Sequence, residues 1–155
     1  MSFKTKTNEL RGPILALDLG EKRVGVAISD ELLITVRRSD RLIRANWKQL
    51  VADVAALVHR FDAQSVVIGL PLGLDSRPGS AALEAERIAR NLAQSLPIPV
   101  YLQDEKLTSV EARERLIGEG LDADEISRNL DSEAATVILR DFINSLEEEI
   151  SPRRI

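Results

Sequence analysis

The apolar positions of this chain change period along its length, and the changes mark its elements. Ile14–Leu19 is a short apolar run ending at Gly20, the pattern of a strand buried on both faces. Val24, Val26 and Ile28 then alternate with Gly25, Ala27 and Ser29, which predicts a second strand bounded by Asp30. Residues 34–43 predict a third, and Arg37, Arg38 and Arg41 make it polar like a sheet edge. Short connections join these runs, as antiparallel neighbours require. The period then becomes helical. Trp47, Leu50, Val51, Val54, Leu57, Val58 and Phe61 recur every three or four residues behind Asn46, a suitable N-cap.

Residues 65–70 are apolar and rich in β-branched side chains, and Pro71 stops them, so they predict a central strand. Residues 72–79, with Gly73, Pro78 and Gly79, predict a loop. A helix carrying Ala81, Ala85, Ile88, Leu92 and Leu96 follows, then a strand over residues 99–103. Thr108 and Glu111 have capping-box spacing, so a helix is expected from Thr108 to about Gly118 or Gly120. In the final helix Ala135, Ile138, Leu139, Phe142, Ile143 and Leu146 make one apolar stripe, with Asn129 as a candidate cap. The order is three hairpin-linked strands followed by βαβ units: an α/β protein with a mixed sheet flanked by helices. Residues 13–150 are expected to form a single domain, between a flexible N-terminal tail (1–12) and a short C-terminal tail (151–155).

Composition narrows the classes. The chain has 155 residues, the size of one domain, with 44% hydrophobic and 30% charged residues, as in a soluble globular protein. Aromatics are only 3%, which leaves an aliphatic core and disfavours a base-stacking platform. There is no cysteine, which excludes disulfides, thiolate metal sites and cysteine nucleophiles. No apolar run reaches the roughly 20 residues of a membrane span, and residues 1–12 lack the apolar core of a signal peptide. A cytoplasmic protein is expected. The net charge of −4 argues against a broadly basic coat, but its distribution is uneven. Lys22, Arg23, Arg37, Arg38, Arg41, Arg44 and Lys48 crowd the first third, which can give one basic face for a polyanion.

Three acids stand where solvation does not explain them. Asp18 interrupts an apolar strand, where an ionised carboxylate is costly unless paired or metal-bound. Its ordinary structural explanation is a strand-end Asp that accepts from turn amides. Glu105, next to Asp104, follows a strand end, where sites form in open α/β sheets, and extension points only one of these neighbours toward Asp18. Asp131 shares the inward stripe of the last helix at its start, where capping is the competing explanation. Hard carboxylate oxygens suit Mg²⁺ or Mn²⁺, and a cation lets clustered acids stay ionised. Two such ions about 4 Å apart can drive phosphodiester hydrolysis without a protein nucleophile. The lone His59 is expected on a helix surface rather than as a base.

These residues resemble the YqgF or RuvX family. The stretch Asp18-Leu-Gly-Glu-Lys-Arg-Val-Gly-Val-Ala-Ile-Ser-Asp30 is similar to its opening motif, and Val66-Val-Ile-Gly-Leu-Pro-Leu72 to its central strand and loop. Asp104-Glu-Lys-Leu-Thr108 is similar to its Asp-Glu-Arg-Leu-Thr motif, and Asp131 with Ala134-Ala135 and Ile138-Leu139 to its closing helix. The similarity spans residues 14–144. It implies an RNase H-like fold and a metal-dependent nuclease that processes the pre-16S rRNA 5′ end, in a family also described as Holliday-junction resolvase-like. Carried over by position, it implies Asp18, Glu105 and Asp131 as catalytic metal ligands.

Lys106 stands where the family usually has Arg, keeping the charge without the bidentate fork, and Gly73 replaces a common Asn. Lys22, Arg23 and Lys106 are the candidate phosphate contacts, with Ser76 and Arg77 of the loop as further candidates. Three alternatives stand beside the RNA nuclease. They are a branched-DNA resolvase, which would need a dimer, a non-catalytic ribosome-assembly factor binding RNA through the basic face, and an actin-like ATPase. The last needs two related lobes, and this chain has room for one. A monomer or a homodimer fits the RNA nuclease.

Overall fold

The computed structural model describes residues 10–71, 79–105, 108–148 and 152–155. Strands β1 (Ile14–Leu19), β2 (Arg23–Ser29) and β3 (Val36–Ile43) form the predicted antiparallel meander. They are followed by α1 (Trp47–Phe61), β4 (Ser65–Pro71), α2 (Ser80–Ser95), β5 (Val100–Glu105), α3 (Thr108–Gly118), α4 (Ala123–Glu147) and β6 (Arg153–Arg154). The sheet order is β3-β2-β1-β4-β5-β6, with β4 parallel to both β1 and β5. This is the mixed α/β architecture that the order of elements predicts.

Helices cover both faces of the central strands, which explains why those strands read as unbroken apolar runs. Leu15, Leu17, Val66, Ile68, Leu70, Val100 and Leu102 form one core with buried residues of α1 and α2. Ile14, Ala16, Ala27, Val67 and Tyr101 form the other with Ala135, Ile138, Leu139 and Phe142 of α4. Because strand side chains alternate, the same parity that turns Ile14 and Ala16 toward α4 turns Asp18 there as well. Tyr101 likewise carries Glu105 to the α4 face. Asp104, one residue off in parity, is exposed, whereas Glu105 is 8% exposed.

Several expectations are corrected. The last helix does not start near Asn129. It starts at Ala123, capped by Asp122, whose side chain accepts from Glu125 N at 2.9 Å in a capping box. Asn129 instead donates its side-chain amide to Glu125 O within the helix. The first two turns bury only Ile126, so they carry no apolar stripe that could announce them. The C-terminal residues expected as a tail include β6, which pairs with Tyr101 and Leu102 of β5 and is too short for any periodicity. At the other end, Leu10 packs on the α4-side core and Gly12 N donates to Glu31 O at 2.9 Å, so residues 10–12 are not tail. Trp47, read as part of an inward stripe, is 49% exposed, and in the first turn of α2 Ala82 is buried rather than Ala81. The loop at residues 72–78, with Ser76 and Arg77, lies outside the described residues, as does Lys106.

A buried carboxylate helps tie α4 to the sheet edge. Glu133 is 3% exposed, and its Oε2 accepts from Arg38 Nη1 of β3 at 2.9 Å, while Arg140 lies 3.7 Å from its other oxygen. Arg38 also reaches Glu119, after α3, at 3.1 Å. Arg38→Ala leaves the buried carboxylate with only the longer contact. The expected loss is about 2 kcal/mol, less than for a wholly buried pair because Arg38 keeps some solvent access. A lower urea midpoint at an unchanged slope is the measurement that checks it.

Candidate functional site

The site forms at the end of the sheet where β1, β4 and β5 finish. There β1 turns back into β2, and Gly20 N donates to Arg23 O at 2.9 Å. The junction between β3 and α1 steadies this turn. Arg44 N donates to Lys22 O at 2.9 Å, and Arg44 Nη1 donates to Gly20 O at 2.7 Å.

Asp18 pairs across the β1–β2 ladder with Gly25. At Gly25 the backbone of α4 rests on the sheet, and a Cβ there would overlap the main-chain carbonyl of Asp131. A missing side chain on one strand therefore sets two carboxylates against each other. Ser132 Oγ, accepting from Val26 N at 3.2 Å, holds the helix at that level. Farther along, Gly69 of β4 makes room for Ile138, whose side chain a Cβ at Gly69 would strike. Glu105 pairs in register with Pro71, so β4 stands between it and β1.

The electrostatics follow from this proximity. Burial, and then the charge of Asp131, raise the Asp18 carboxyl from 3.8 to about 6. Asp131 is offset by two arginines, with Arg23 Nε at 3.1 Å and Arg41 Nη1 at 3.6 Å from its Oδ2. That oxygen is buried yet accepts no hydrogen bond, so its partners neutralise it by charge alone. A cavity of about 290 Å³ opens beside it, lined by Gly20, Glu21, Lys22, Arg23 and Asp131.

Of the predicted site residues, Asp18 and Asp131 are brought together, and Glu105 is buried on their face of the sheet. Asp131 reaches the site from the helix interior, not from the first turn, so capping does not account for it. Lys22 and Arg23 line the cavity, and His59 is exposed on α1. Arg41 was missed as a site residue. Val24 pairs with Leu42 and Val26 with Ser39, so Asp40 and Arg41 together face Gly25 in a β-bulge. The bulge breaks the alternation that a pattern reading follows.

The carboxylates suit a divalent cation in charge and in donor chemistry. Asp131 Oδ2 is a buried oxygen without a hydrogen bond, and Asp18 is a carboxylate whose ionised form a cation would favour. Among the described residues, no group of three or more His, Asp or Glu side chains is close enough to hold an ion. A magnesium ion needs only one or two carboxylates when water and substrate complete its shell, so Asp18 and Asp131 are the residues that would hold it.

The chain is similar to several known proteins. A protein of Syntrophus aciditrophicus (strain SB), named "Putative pre-16S rRNA nuclease", is 40% identical over 90% of this chain and 93% of its own length. A protein of Anaeromyxobacter dehalogenans strain 2CP-1 with the same name is 38% identical over 84% of this chain and 95% of its own. Thermus thermophilus RuvC, solved with a Holliday junction substrate, superposes with a TM-score of 0.59 at 15% identity, covering 92% of this chain and 98% of that one. It shares the RNase H-like fold. No helix among the described residues is long and apolar enough to cross a membrane. With a family profile described as Holliday junction resolvase matching residues 12–145, this chain belongs to the RuvX family.

Proposed function

We infer that this protein is a nuclease that cleaves phosphodiester bonds at the 5′ end of precursor 16S rRNA in the cytoplasm, using Mg²⁺ or Mn²⁺. The observation that carries this reading is the Asp18–Asp131 pair, two carboxylates set against each other at a strand end beside an open cavity. Groups perturbed in this way concentrate at functional sites. The names of the relatives support the substrate, and their coverage of nearly the whole chain supports transfer of the activity.

When bound, a divalent ion supplies Lewis acidity for water activation and for the charge developing on the phosphate. The chain supplies the rest. Asp18 and Asp131 offer oxygens from a strand end and a helix, two rigid elements whose spacing Gly25 sets. Glu105, buried at the end of β5, is the third carboxylate on that face. Lys22 and Arg23, on the wall of the cavity, can meet the phosphates flanking the scissile bond.

The test pairs a 5′-extended 16S precursor with a four-way DNA junction, each incubated with Mg²⁺, Mn²⁺ or chelator. Cleavage of the RNA is expected only with metal. Asp131→Asn and Glu105→Gln should each lower the rate about a hundredfold or more, with the circular dichroism spectrum unchanged. Cleavage that persists in chelator, or in both variants, overturns the metal-nuclease reading. Cleavage of the junction alone moves the substrate to branched DNA.

A further inference from the structure

The oxygen that the metal reading gives to a cation, Asp131 Oδ2, already faces Arg23 and Arg41. Two guanidinium groups and a divalent ion compete for the same negative charge, and the ion carries more charge in less space. Arg23 is the more exposed of the two, and Arg41 stands farther from the oxygen. Arg41 comes from a bulge on the edge strand, lies 3.6 Å from Oδ2, and among the described residues otherwise donates only to the carbonyl of Ser127 at 3.3 Å. Its side chain is 27% exposed, so rotation can free it while the backbone stays in place. Once freed, it stays beside the cavity that Arg23 and Asp131 line, where a planar five-donor cation suits a phosphate.

We propose that Arg41 is a tethered counter-cation of the site. It neutralises Asp131 while no divalent ion is bound, is displaced from Oδ2 by the ion, and then contacts a phosphate of the substrate strand. The inference rests on the metal-nuclease reading and adds a positioning residue to it. Its two halves have opposite signs. Removing Arg41 removes a competitor, so the metal binds more tightly, and it also removes a phosphate contact, so nucleic acid binds more weakly. A residue that only braced α4 would weaken both, because Asp131 would be misplaced.

Binding of Mn²⁺ alone is measured by calorimetry for the wild type, Arg41→Gln, Arg41→Lys and Asp131→Asn. Binding of a single-stranded RNA oligonucleotide is followed across a salt series in Ca²⁺. Arg41→Gln is expected to bind Mn²⁺ about fivefold more tightly, the scale of one partly exposed ion pair. It should bind RNA about fivefold more weakly, with the log–log salt slope smaller by about one. Arg41→Lys, which keeps the charge, should stay near the wild type in both. Unchanged or weaker Mn²⁺ binding in Arg41→Gln overturns the competition, and an unchanged RNA slope overturns the phosphate contact. If the wild type binds no Mn²⁺, or if Asp131→Asn binds it equally well, the metal reading itself fails, which is distinct from failure of Arg41 alone.

Discussion

Asp18→Asn is expected to give a protein that is more stable than the wild type at pH 7.5 without metal, and that no longer cleaves. The carboxyl of Asp18 is held at about 6 in the folded chain, above the ordinary 3.8, by burial and by Asp131. Below about pH 4 the group is protonated in folded and unfolded chains alike and contributes nothing. As pH rises from there through 6, the folded chain keeps a proton that the unfolded chain has released, so stability falls, and above that range the loss is constant. The difference between the two values corresponds to about 3 kcal/mol at most. Asn has the same shape, carries no charge and removes most of that loss. Denaturant titrations at pH 4 and pH 7.5 check it: the stability gain should be near zero at the first and about 2 kcal/mol at the second. A variant that is destabilised at pH 7.5 would show that the carboxylate serves the fold rather than the chemistry.

The second large effect belongs to Gly25. Its Cα lies so close to the carbonyl of Asp131 that a side chain cannot be added without moving backbone, unlike a clash with the flexible end of a side chain. Gly25→Val must lift α4 from β2, strain the Ser132–Val26 hydrogen bond and draw Asp131 away from Asp18. The expected cost is about 3 kcal/mol, with cleavage lost as well. Asp18→Asn should separate stability from activity, whereas Gly25→Val should lower both. A Gly25→Ala protein with wild-type melting and wild-type cleavage would refute the close approach of helix and strand.

The difference between Asp104 and Glu105 shows how far pattern alone reaches. Two-residue alternation places them on opposite faces, and the apolar Tyr101 reveals which face α4 covers once α4 is known to lie there. Apolar context and the family resemblance singled out Asp18, Glu105 and Asp131, yet the beginning of α4 was misplaced because Asp122 and Asn129 are both acceptable caps. Only the reciprocal bond with Glu125 chooses between them.

Hydrophobic period was enough to set the order of the longer strands and helices, from β1 to α4, and to mark the central strands as covered on both faces. Those properties depend on neighbours a few residues apart, whose spacing is written directly in the chain. The meeting of Asp18 with Asp131, the bulge that aims Arg41 and the burial of Glu133 under Arg38 were decided only when distant segments packed. A local pattern records that a face must be dry. It does not record which element dries it, or how near two backbones come.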